Sequence, residues 1–116
     1  MEHSLYPEPT KEIAQKRNDL APETLALFRA FSQHVFADGA LSSKTKDLIA
    51  IAVAHTTQCP WCIRSHTKRA TLKGATGQEI MEAIWVAAEM RAGAASAHSA
   101  IAIDALNQEL AKSGAD

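Results

Sequence analysis

The sequence predicts an all-α protein, a compact bundle of about five or six helices in a single domain over residues 1–116. Three observations carry this prediction. Aromatic residues make up only 5% of the chain while alanine is abundant, a mix that suits closely packed helices. Sandwich and barrel strands draw instead on aromatic and β-branched residues. Apolar residues recur at helical spacing in successive blocks, and no segment reads as a strand. Residues that start and stop helices punctuate those blocks. At 47% apolar, the chain has enough hydrocarbon to bury a core.

Residues 1–9, with Pro7 and Pro9 and little pattern, read as an extended arm. A helix is expected over residues 10–18, with Thr10 as N-cap, followed by a turn at Asp19-Leu20-Ala21-Pro22. Pro22 suits the first position of the next helix, because its missing N–H has no intrahelical role there. Leu25, Phe28, Phe31 and Val35 line one stripe of that helix, widened by Phe36, and Gly39 fits a left-handed cap after it. A third helix spans about 43–56, with Ser42 or Ser43 at its start. Its run Leu48, Ile49, Ile51, Ala52, Val53, Ala54 predicts burial on most sides. A fourth helix opens at Cys59 or Pro60 and ends at Gly74, with Lys68, Arg69 and Lys73 facing the negative end of its dipole. Thr76 and Glu79 match a capping box that opens a fifth helix through Ile80, Ala83, Ile84, Ala87 and Ala88. A kink or break is expected across residues 90–94, and a last helix runs to about Ala111, anchored by Ile101, Ile103 and Leu106.

Charge excludes some functions. Twelve Lys+Arg balance thirteen Asp+Glu, and no basic run stands out, so nucleic-acid binding has no support. No basic-then-apolar leader begins the chain and no apolar stretch is long enough to span a bilayer, which makes the cytoplasm the default compartment. In a reducing compartment a C-x-x-C pair points to catalysis or metal binding rather than to a static staple.

The chemistry concentrates in Cys59-Pro60-Trp61-Cys62-Ile63-Arg64-Ser65-His66, which holds the only two cysteines. With Pro60 in the first helical turn, Cys59 falls at the cap and Cys62 in that turn. There, free backbone N–H groups and the dipole favour thiolate. Cys62 and His66 are spaced i, i+4 and share a face, so the imidazole can take a thiol proton. A thiolate that attacks a hydroperoxide becomes a sulfenic acid, and a neighbouring thiol then closes a disulfide. Asp47, on the preceding helix, has two readings. It can orient His66 in a nucleophile–base–orienter chain, or it can simply favour the positive helix end, which spacing alone prefers. His55 is a second histidine near the helix end before Cys59, and Trp61 either walls the dithiol or only packs. Three rival functions remain open. The first is a general disulfide reductase in which Cys59 attacks. The second is a zinc or structural module using Cys59, Cys62, His66 and His55. The third is a non-enzymatic oligomeric redox sensor.

These residues resemble a known family. The run Leu48-Ile49-Ala50-Ile51-Ala52-Val53-Ala54-His55, the motif Cys59-Pro60-Trp61-Cys62-Ile63 with His66, and then Ala70, Gly74, Glu79-Ile80 and Glu82-Ala83 look like the alkyl hydroperoxidase D-like core. This core is the redox branch of the carboxymuconolactone decarboxylase family, and the similarity covers about residues 40–105. The resemblance implies an all-helical homo-oligomer, a homotrimer or homohexamer, with thiol-dependent peroxidase or disulfide-reductase activity and no cofactor. It implies that Cys62 attacks peroxide, that Cys59 resolves, and that His66 joins a proton relay with a carboxylate on the preceding helix. The family usually has Glu there; the matching residue here is Asp47, one methylene shorter. The family's best-known peroxidase has a histidine between the cysteines where this chain has Trp61, so that part is not carried over. The implied partners are a hydroperoxide substrate and a dithiol reductant, for which the family offers a lipoyl-bearing protein. The missing dithiol of the decarboxylase branch argues against lactone decarboxylation.

Overall fold

Polar caps and a proline set the helix boundaries. A computed structural model describes residues 5–8 and 10–114 as five helices: α1 (Lys11–Leu20), α2 (Pro22–Phe36), α3 (Ser43–Thr57), α4 (Pro60–Leu72) and α5 (Gly77–Ser113). Among the described residues there is no strand, so the all-α prediction stands. Thr10 accepts the Ile13 N–H and opens α1, Ser42 accepts the Thr45 N–H and opens α3, and Pro22 sits in the first turn of α2. The capping box at Thr76 and Glu79 forms in both directions and opens α5. The Thr76 N–H, with Lys44 beside it, holds the Glu79 carboxyl below the usual carboxylate range. Of the expected N-terminal arm, residues 1–4 and 9 lie outside the described residues; within it, the Pro7 carbonyl accepts the Trp61 indole N–H at 3.1 Å.

Helix α3 is the hub. It packs on both α4 and α5, while α1 touches α2 and α2 touches α3. The buried centre is Ile51, Ala70 and Ala75, with Leu48, Ile80 and Ile84 packed around it. Between α4 and α5 the chain reverses at Gly74, whose φ of 92° an L side chain would resist. The Ala75 N–H returns to the Ala70 carbonyl at 2.9 Å and the Gly74 N–H to Thr71 at 3.0 Å, a Schellman closure. That closure seats Ala70 and Ala75 in the core together.

Four expectations need correction. Gly39 is not a left-handed cap; α2 ends at an extended Ala37. Two side chains hold the loop instead: Lys46 donates to the Ala37 carbonyl at 2.6 Å, and the Ser43 N–H donates to Asp38 at 2.7 Å. The break at residues 90–94 is absent. Gly93 is absorbed into α5, since one glycine costs about 1 kcal/mol against a run of strong helix formers. Helix α3 is not buried on most sides either: Asp47, Ile51 and Ala54 are buried, while Ile49 and Val53 are about half exposed. Finally, the bundle is not compact. Its radius of gyration is 21.1 Å, against about 13 Å for a packed 100-residue domain. The cause is α5, 37 residues long, whose distal half projects past the core.

Candidate active site

The end of α3 delivers the dithiol. Gln58 adopts φ 58°, an uncommon conformation for a residue with a Cβ, and the Cys59 N–H closes back on the Ala54 carbonyl at 3.1 Å. This sharp reversal puts Cys59 at the N-cap of α4 and Pro60 in its first turn. The Cys59 sulfur accepts the Cys62 N–H at 3.3 Å. Cys59 and Cys62 are joined as a disulfide, with Cα atoms 5.3 Å apart. Both sulfurs therefore sit at the mouth of a helix, where amide N–H groups favour negative sulfur once the bond is reduced.

One turn further along α4, His66 meets Asp47. The imidazole Nδ1 lies 2.9 Å from Oδ1 of Asp47, which has no exposed surface. The shorter carboxylate reaches the histidine directly. A carboxylate only accepts, so Nδ1 carries the hydrogen, and in the neutral ring Nε2 holds the lone pair of a base. Asp47 is the fifth residue of α3, beyond the first turn, so the helix-end reading favoured by spacing is set aside. Its other oxygen accepts from Lys73 Nζ, which also bonds Ser43 Oγ at 2.5 Å. Burial pushes the Asp47 carboxyl up, but the hydrogen bonds and charges of Lys73 and His66 outweigh it and hold the group below its usual range. The Phe36 ring stacks on the imidazole at 4.7 Å between centroids and fixes its plane.

Cys62 and His66 both line a cavity of about 410 Å³ between α2, α3 and α4. Its other walls are mostly hydrocarbon, with Val35, Phe36, Ile49 and Val53 prominent and Lys46 present as a charged group. The half-exposed faces of Ile49 and Val53 are thus walls of this cavity.

The structure brings Cys59, Cys62, His66 and Asp47 into one locus. His55 stands apart: its Nδ1 donates to the Ile51 carbonyl one turn back at 2.7 Å, and it lines no part of the cavity. Among the described residues, no group of three or more His, Cys, Asp and Glu side chains is arranged to hold a metal ion. Trp61 is no wall of the cavity; it packs edge-on against Tyr6, with ring centroids 5.2 Å apart. Sequence reasoning missed Lys73 and Phe36. Lys73 follows His66 by seven residues, at the C-cap of α4, so it was visible as a cation on the histidine's own face. No local signal announced the Phe36 stack, because it joins different helices.

Residues 22–105 match the pattern of the carboxymuconolactone decarboxylase family. The chain is 64% identical over 81 residues to uncharacterized protein 4 in the cox locus of Paracoccus denitrificans, covering 70% of this chain and 73% of that protein. A crystal structure of a carboxymuconolactone decarboxylase family protein from Legionella pneumophila is similar, with a TM-score of 0.65 and 35% identity over 85% of this chain and 91% of that one. A crystal structure from Methanobacterium thermoautotrophicum has a TM-score of 0.66 and 34% identity over 71% of this chain and 94% of that one.

Proposed function

We propose, since the chain belongs to the carboxymuconolactone decarboxylase family, that it is a thiol-dependent peroxidase of the family's dithiol branch. The observation that carries this reading is the chain Asp47–His66 beside Cys62 on one cavity. In the reduced protein, Nε2 of His66 takes the Cys62 proton. The thiolate attacks the terminal peroxide oxygen, the O–O bond breaks, and the alkoxide leaves as alcohol with the proton returned by His66. Cys62 is now a sulfenic acid. The Cys59 sulfur displaces its hydroxyl, which leaves as water, and the disulfide forms. An external dithiol then reduces that disulfide by two exchange steps and is itself oxidised. The hydrocarbon walls favour an organic hydroperoxide over hydrogen peroxide, since burying apolar surface yields about 25 cal/mol per Å². A lipoyl-bearing protein is the proposed reductant and the cytoplasm the proposed compartment. A homotrimer or homohexamer is the proposed assembly, supported by the outward faces of Phe28, Phe31, Trp85 and Met90.

One observation favours a second reading, a general disulfide reductase. Cys59 holds the N-cap and receives an amide hydrogen bond, as an attacking thiolate would. Turnover of cumene hydroperoxide with dihydrolipoamide, in wild type and in each single Cys→Ser variant, separates the two. The peroxidase reading expects turnover in wild type and none in either variant. Peroxide-independent reduction of a protein disulfide, with Cys59 as the trapped mixed disulfide, would replace it by the reductase.

A further inference from the structure

A second cavity lies between α2 and α4, with a volume of about 500 Å³ and Phe36 as a wall it shares with the first. Its chemistry is the reverse of the first. Arg29 from α2, Arg69 from α4 and Lys73 at the C-cap of α4 line it, together with Ser32 and Gln33. Residues 29, 32, 33 and 36 recur at helical spacing along α2, and 69 and 73 along α4, so two polar faces oppose each other. Three cations face one cavity, and among the described residues the only acid bonded to any of them is Asp47, through Lys73. Among the described residues Arg29 and Arg69 make no salt bridge and no side-chain hydrogen bond. Like charges gathered without a counter-charge repel one another, so the arrangement is stabilised by an anion brought from outside. Two guanidinium forks, a hydroxyl, a carboxamide and an ammonium form a donor set suited to tetrahedral oxyanions.

We propose that this cavity is a binding site for a multivalent oxyanion of the phosphate class, held by Arg29 and Arg69 with Lys73 at its inner edge. The volume exceeds what one phosphate needs and admits a diphosphate or a phosphorylated small molecule. Occupancy is coupled to the dithiol side. An anion beside Lys73 competes with Asp47 for its ammonium, and it contacts Phe36, whose ring stacks on His66.

Titration calorimetry of the full oxidised chain with inorganic pyrophosphate, at physiological salt, tests the site without reference to peroxide chemistry. Wild type is expected to show one saturable site per chain, and Arg29→Gln/Arg69→Gln at least about tenfold weaker binding. Among the described residues neither arginine has an ion-pair or side-chain hydrogen-bond partner, so the variant should keep its circular dichroism and melting temperature. Equal binding by both proteins, or none at millimolar pyrophosphate, would overturn the site. Citrate binding as tightly as pyrophosphate would overturn the phosphate assignment. The His66 ring resonances are expected to shift as pyrophosphate saturates wild type; saturation without that shift would refute the coupling. Failure of the peroxidase reading would leave the calorimetric result untouched.

Discussion

The junction of α3 and α4 and the distal half of α5 use the same helical geometry to opposite ends. At the junction, Asp47 is fully buried and both its oxygens are bonded, to His66 and to Lys73. Among the described residues, no buried side-chain nitrogen or oxygen lacks a hydrogen-bond partner. Along distal α5, Ile101, Ile103 and Leu106 are each more than half exposed. No other described helix buries them. A buried charge is tolerated only when it is paired, and an exposed apolar run is stable only when something else covers it. The first region pairs its buried charge within one chain; the second leaves its apolar side chains open to solvent.

The contrast breaks most visibly at Asp47. Asp47→Ala leaves the Lys73 ammonium and the His66 ring without their acceptor. The expected loss is about 2 kcal/mol, below the full cost of splitting a buried pair because Lys73 can turn toward water. Urea melts would register it as a lower midpoint with an unchanged slope. A variant as stable as wild type would mean that the junction is not held by its polar network.

The same carboxylate sets an acid limb. Its pKa is held below the ordinary value of 3.8, so its contribution is fully present above that pH and is lost as pH falls through the lower folded value. The gap in melting temperature between wild type and Asp47→Asn should therefore be constant near neutrality and shrink below about pH 4. A gap independent of pH would contradict the sign of the shift.

Distal α5 should respond the other way. Ile101→Ser with Leu106→Ser removes apolar surface that the isolated chain leaves in water. Their effect on the melting of dilute monomer should stay within about 0.5 kcal/mol. Sedimentation velocity should show the double variant shifted to smaller species if this face joins copies. An unchanged assembly with a collapsed melt would assign the face to the fold itself. Gln58→Gly should instead raise stability. Glycine removes the Cβ penalty at φ 58°, and a gain of up to about 1 kcal/mol in thermal stability is expected.

The two regions also differed in how legible they were. Caps and prolines are local chemistry, so Thr10, Pro22 and Thr76 marked their helices correctly from the sequence, and the structure chose Ser42 over Ser43 and put Cys59 at the cap before Pro60. The spacing of Cys62 and His66 carried the site in the same way. Asp47 was ambiguous because its meaning depends on how α3 packs on α4, which no window of sequence contains. Lys73 was read as a dipole residue, since only the tertiary fold turns it onto Asp47. The missing break near Gly93 follows from similar physics. Helix propensity outweighs a lone glycine, and the apolar pattern does not reveal whether its partner lies within the chain.

The most direct test of the redox account is chemical trapping of the first oxidised sulfur. Reduced Cys59→Ser protein, treated with one equivalent of cumene hydroperoxide in the presence of dimedone, should carry the adduct on Cys62 by peptide mass spectrometry. Asp47→Asn in that background should slow adduct formation, because His66 loses the carboxylate that orients it. No adduct on Cys62, together with a rapid one on Cys59 in the Cys62→Ser protein, would contradict the assignment of Cys62 as the attacking thiol.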